Sequence, residues 1–177
     1  MKKILLMAVI SLGFAAAAYA QPRAIGLRGG LKSVEASYQH TLNENFIEGN
    51  LGLAIGGGFG LNAAGTYNFM IAQPEWTDRG EWGFYAGPGV GLGFGFGNTG
   101  GDVEDGRSIK RSGDTVGYFT LGVLGQAGLE YTFWFPLQLS VDVRPMLSLN
   151  MGNTGVHFNA SGLIYGFVPT LSVRYRF

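Results

Sequence analysis

The chain of 177 residues contains no cysteine, so neither a disulfide framework nor a lipidated cysteine is available to brace or anchor it. Charged residues make up 14% of the sequence, where an ordinary soluble domain carries about a quarter. That leaves too little polar material for a normal water-facing surface. Beyond residue 20 there is no apolar run approaching the roughly 20 residues that a membrane helix needs. Histidine occurs only at His40 and His157, which leaves two candidates for any imidazole chemistry. Without Lys2 and Lys3 the remainder holds ten basic and twelve acidic residues, so there is no basic footprint for nucleic acid, and no nucleic-acid partner is expected. What the sequence has in excess is glycine, at 31 residues, and aromatic side chains, at 14%.

The N-terminal stretch has the layout of a secretory signal: Lys2 and Lys3, an apolar run from Ile4 to Ala18, and Ala18-Tyr19-Ala20 before Gln21. The reading is a signal peptide over 1–20 and a mature domain over 21–177. An exported chain without disulfides and without membrane helices must find its stability, and any membrane contact, in strands.

The stretch GPGVGLGFGFG at 87–97 is informative about those strands. Its glycines recur at every second position, whereas a dinucleotide loop needs them at offsets one, three and six before a helix. A period of two is a strand with two different faces. Sorting odd from even positions repeats this pattern along the chain. Leu137, Leu139, Val141 and Val143 alternate with Gln138, Ser140, Asp142 and Arg144. Tyr165, Phe167, Leu171, Val173 and Tyr175 alternate with Gly166, Val168, Ser172, Arg174 and Arg176. Eight such segments are present. The last runs from 163 to 177, and the links fall near 32–33, 43–45, 57–61, 73–80, 98–114, 134–136 and 151–162.

Charge decides which face is outside. Arg28, Glu35, Glu48, Glu130, Asp142, Arg144, Arg174 and Arg176 fall on the polar faces. The other charged residues fall in the N-terminal end, links and turns, and none on an apolar face. A soluble sandwich would put long charged side chains on its wet outer faces. Four positive and four negative groups among many glycines instead fit a narrow interior in which they pair. The expected fold is therefore all-β: an eight-stranded antiparallel up-and-down transmembrane β-barrel, closed because an open edge would leave backbone groups unsatisfied in hydrocarbon. The longest link, 98–114, lands on the external side. Aromatics gather toward both rims, Trp76, Trp82, Tyr131, Phe133 and Trp134 at the periplasmic one and Phe59, Phe94, Phe96, Tyr165 and Phe167 at the outer one.

The C-terminal Tyr175-Arg176-Phe177, with alternating apolar positions before it, resembles the assembly signal of bacterial outer-membrane proteins. The mature chain as a whole is similar to the small eight-stranded outer-membrane barrels, the porin-like family that includes OmpA transmembrane-domain and OmpX-like barrels. The resemblance implies location in the outer membrane, contact with its lipid, delivery by the outer-membrane assembly machinery with Tyr175 and Phe177 as the signal, and a monomer. No periplasmic domain follows, so a peptidoglycan-anchoring role is not implied.

Six of the inward charges, Arg174, Arg176, Arg144, Asp142, Glu130 and Glu48, fall in the periplasmic half, where they predict a plug. Above them the inward positions turn small or apolar, and Gly91, Gly93, Leu124, Met146, Ile164 and Val168 outline a pocket in the upper lumen, unless Tyr85, Tyr118 or water fill it. Pro88, Pro145 and Pro169 sit in strands at similar heights, which predicts bulges or breaks or, if they cluster, a lateral opening. The leading expectation is a non-enzymatic barrel with a structural or surface-interaction role, plugged and not an open pore. The alternatives are a carrier that binds a small apolar ligand in the upper lumen and releases it sideways, and a lipid A-modifying enzyme using His157, whose VHFNAS context has Ser161 four residues on and Asn159 where the deacylase pattern has serine. Both histidines read as structural. Asp102, Glu104 and Asp105 lack EF-hand spacing. No cofactor and no metal is expected.

Overall fold

The computed structural model describes residues 22–31, 33–55, 58–98, 115–152, 155–160, 162 and 166–177. The signal at 1–20, nearly all of the long link, Gly56, Ser161 and Ile164 lie outside the described residues. Ten segments follow one another: β1 (Pro22–Gly29), β2 (Ser33–Leu42), β3 (Asn45–Ile55), β4 (Gly58–Ala72), β5 (Glu81–Asn98), β6 (Thr115–Thr132), β7 (Leu137–Val143), β8 (Met146–Gly152), β9 (Gly155–Asn159) and β10 (Thr170–Arg176).

Every pairing is antiparallel, and the sheet closes on itself through β5–β6 and β1–β10. Segments β7 and β8 lie end to end along β6, and β10 and β9 pair with β7 and β8 in turn, so the ten segments build eight staves of a closed barrel. We call the end holding Pro22, Phe177 and the links at 43–44, 73–80 and 133–136 the lower end, and the opposite end the upper. Closure pairs the staves on both sides except along β9, which pairs with β8 alone, and the short lower turns suit it. Asn43 takes φ 56°, a conformation that asparagine tolerates better than most residues.

Two proline positions break the staves. The strand expected over 137–150 stops at Val143 and resumes at Met146, because Pro145 has no N–H for a ladder and Arg144 turns its own N–H to the Gly166 carbonyl at 2.7 Å. Of the strand expected from 163, residues 163–165 lie outside the described residues, 166–169 are not strand, and β10 begins at Thr170, just after Pro169; Gly166 N–H bonds to Gly162 O at 3.0 Å. Conversely, the expected link 151–162 contains β9, which pairs with β8. His157 is therefore a strand residue, in register with Asn150, and not a loop residue. Phe59, Gly60 and Leu61, expected in a link, open β4.

Pro88 does not interrupt β5. It stays in register with Gly125 of β6, and only the ladder to β4 skips, between Thr66↔Gly89 and Phe69↔Ala86. Gly125 sends its N–H the other way, to Pro145 O at 2.9 Å. Pro88 and Pro145 thus lie at one height, both meeting Gly125, and backbone bonds span the break at Pro145.

The glycine face of β5 points into the lumen. Tyr85 lies over Gly128, its direct cross-strand neighbour, and Tyr118 over Gly95. A Cβ at either glycine would come within 2.5 Å of the ring above it. The rings shield bare backbone that would otherwise be poorly packed. Beside Pro88 the fit is tighter still, and a Cβ at Gly87 would sit 1.7 Å from Tyr67 O. Gly87→Ala should therefore cost about 1–3 kcal/mol through overpacking. Gly65→Ala, with nothing within 4 Å, should be neutral or stabilising by up to about 1 kcal/mol. Urea midpoints of the two variants check this.

Candidate functional site

The interior is assembled from the inward positions of all the staves. Among the described residues, seventeen polar or charged residues are buried, against four apolar ones, Ala24, Phe46, Tyr85 and Leu124. This inverts the usual distribution, so the polar groups must satisfy each other.

Near the lower end, Arg23 forms an ion pair with Glu130 and lies 4.2 Å over the Phe46 ring, which meets Tyr85 edge-on at 5.2 Å. Gln138 donates to Glu130 at 2.7 Å. Arg23 belongs to the N-terminal end on strict alternation. It turns inward because the β1–β2 register shifts between Pro22 and Ala24, a bulge that defeats strict alternation.

One layer up, Arg174 donates to Glu48 at 2.9 Å, to Ser37 at 2.8 Å and to Ser140 at 2.7 Å. Gln39 donates to the same Glu48 at 3.0 Å. Above that, Arg28 pairs with Asp142 at 2.5 Å and Glu35 at 3.1 Å, and Arg144 with Glu35 at 3.2 Å and Glu48 at 3.5 Å. Three guanidinium groups and three carboxylates thus form one connected and electrically neutral network. Arg176 stands apart: it pairs with Glu81 at 3.1 Å on the lower rim, both partly exposed, where an ion pair contributes little.

Over this network lies a cavity of about 510 Å³. Gly91, Gly93, Leu124, Met146 and Val168 line it together with Ala54, while Ile164 is outside the described residues. Arg28, Glu35 and Arg144 form its floor. Asn62 and Thr120, on the polar faces of the alternation but outside the expected pocket set, also line its wall. Their inward positions follow from the same alternation, but their neutral side chains gave no charge signal.

His157 is exposed on β9, and Ser161 lies outside the described residues. His40 is on the outer face, 3.1 Å from the Tyr38 hydroxyl. Among the described residues, no three His, Cys, Asp or Glu side chains meet as a metal would require. Tyr175 and Phe177 are exposed on the outer face at the lower end, their rings 5.4 Å apart.

Comparison of the chain with protein-family models, with curated proteins and with solved structures gives no match. The geometry has to carry the functional reading.

Glu48 is shared by two arginines and fully buried. Glu48→Ala should therefore destabilise the barrel by about 3–5 kcal/mol, since it leaves buried positive charge uncompensated. The double variant Glu48→Ala/Arg174→Ala should cost less than the sum of the two single losses, as measured by a double-mutant cycle of equilibrium unfolding.

Proposed function

We propose that this chain is a bacterial outer-membrane β-barrel protein of the small eight-stranded, porin-like kind, closed to ions and serving a structural or surface-contact role through its upper end. One observation carries the reading: the apolar side chains that a water-soluble fold would hide are on the outside. Ile25, Leu27, Leu51, Leu92, Val123, Val141 and Val173 are all at least 45% exposed, and among the described residues 32 large apolar side chains are exposed in all. Soluble monomers rarely expose more than a few hundred Å² of contiguous apolar surface. At roughly 1.5–3 kcal/mol per fully buried large side chain, transfer of this shell into hydrocarbon is favourable by tens of kcal/mol.

The dimensions agree. A tilted strand crosses a bilayer in about 9–11 residues, and β2 and β3 have 10 and 11. Trp76, Trp82, Tyr131, Phe133 and Trp134 cluster on the outer face at the lower end, with ring-centroid separations of 4.6–5.9 Å, where an interfacial belt belongs. No helix among the described residues is long and apolar enough to cross a membrane, so crossing falls to the strands. In this reading residues 1–20 direct export, Tyr175 and Phe177 address the assembly machinery, the lower end is periplasmic and the barrel is a monomer. The neutral network supports closure, because an entering ion would lose its hydration and find every opposite charge already paired.

Refolded into liposomes, the chain should resist extraction by urea and carbonate, and in planar bilayers it should pass no steady current. Leu139 and Val173 face each other on the outer surface. Leu139→Lys or Val173→Lys should reduce the stability of the inserted form by about 2–4 kcal/mol if the site is near mid-bilayer. A chain that stays soluble without detergent would overturn the reading.

A further inference from the structure

We propose that the cavity above the charged network is a binding site for one uncharged single-chain amphiphile whose polar end is a hydrogen-bond donor, a primary alcohol or amide, seated on the floor with its chain along the β5 glycine wall. This goes beyond the membrane reading and does not rest on it, because the cavity is a property of the barrel itself.

Size is the first argument. Protein interiors hold few voids larger than a water molecule, and about 510 Å³ is in the range of ligand pockets, roughly 300–1,000 Å³. The space is built into the sequence. At Gly91 it is already taken up, since a Cβ there would meet Met146 Cε at 3.1 Å and Leu124 at 3.3 Å. At Gly93 it is free, since the nearest atom to a Cβ would be Thr120 Cβ at 3.4 Å, an ordinary contact. A Cβ at 93 makes only ordinary contacts, and glycine there leaves the lumen wide.

Charge sets the class of ligand. Each charged side chain on the floor already has its counter-charge: Arg28 with Asp142 and Glu35, Arg144 with Glu35 and Glu48. A carboxylate or ammonium head would have to break one of these pairs or remain uncompensated in a poorly solvated site. A neutral head does neither.

Hydrogen bonding narrows the class further. Ser33, Thr120 and Thr170 line the cavity, and each hydroxyl hydrogen is committed: Ser33 to Glu35 at 3.2 Å, Thr120 to Asn150 at 2.8 Å, Thr170 to Asp142 at 3.0 Å. A hydroxyl has one hydrogen and two lone pairs. These three therefore retain acceptors and no donor, Asn62 Oδ1 is a further buried acceptor without a partner, and Arg144 Nε is a buried donor without one, which together suit an alcohol or amide head that both donates and accepts.

The test uses 1-dodecanol, dodecanoate and dodecylammonium as probes, with the barrel held in amphipol and complexes counted by native mass spectrometry. Wild type should take up one dodecanol saturably and bind both charged probes weaker by about tenfold or more. Gly93→Leu should lose dodecanol binding by about tenfold or more, with circular dichroism and heat-modifiable gel mobility unchanged. If that variant does not fold, Ala54→Leu fills the same space. Glu35→Gln removes one negative charge from the floor and should shift preference toward dodecanoate, a change that a merely structural Glu35 would not produce. Absence of a one-to-one complex, equal binding of all three probes, or undiminished binding by a folded cavity-filled variant would each overturn the proposal. A barrel that inserts into lipid but takes no dodecanol refutes this inference alone, and one that binds dodecanol but does not insert refutes only the membrane reading.

Discussion

The ion pair between Glu48 and Arg174 is the contact on which the rest of the interior depends. Glu48 stands on β3 and Arg174 on β10, with β1 and β2 between them around the wall, so their 2.9 Å contact reaches across the lumen. Both are almost wholly removed from solvent, and an isolated charge there would be prohibitively costly. Arg174 also needs Ser37 of β2 and Ser140 of β7, and Glu48 also accepts from Gln39 of β2 and Gln126 of β6. Five segments must be in register before either charge is satisfied. Barrel closure and charge satisfaction are in that sense a single condition, and a one-residue slip of any of these strands would turn its polar row outward and its apolar row inward.

Long guanidinium side chains fit a narrow tube only if something opposite them is small. The inward glycines supply that room, with three different outcomes. Gly128 and Gly95 are roofed by tyrosine rings, Gly91 is filled by Met146 and Leu124, and Gly93 is left open. The lower lumen, dense with Arg, Glu, Gln and Asn, has its space occupied, while the upper lumen has no long charged side chain above Arg28, Glu35 and Arg144 among the described residues and retains the cavity. The division between plug and pocket follows from where the long polar residues stop along each stave.

Much of this was legible in the alternation, because a large apolar residue on a closed barrel has one low-energy orientation and each such residue repeats the same information. The link at 73–80 and the inward set from Arg28 to Arg174 follow directly. Three features were not legible for identifiable reasons. Arg23 sits at a bulge, where period two fails locally. Phe46 points inward against its apolar character because Arg23 and Tyr85 provide an aromatic and cationic niche that only the folded barrel assembles. The strand β9 is short and pairs on one side with β8, and it falls within the stretch 151–162 expected as a link. The prolines marked the right places without revealing what happens at each: Pro145 and Pro169 end segments, whereas Pro88 forfeits pairing on its β4 side alone.

Neutrality of the network bears on both ends of the lumen. A plug with net charge would attract counter-ions and offer them a foothold, whereas three arginines matched by three carboxylates offer none. The same balance faces upward as the cavity floor, where it disfavours charged molecules for the same reason. Below the floor, the Arg174–Glu48 and Arg23–Glu130 layers fill the bore. At its side, the break at Arg144–Pro145 is crossed by backbone bonds from Gly125 to Pro145 and from Arg144 to Gly166. A cavity so bounded below and tied at the break is suited to holding a molecule and ill suited to passing it through, which separates binding in this barrel from conduction.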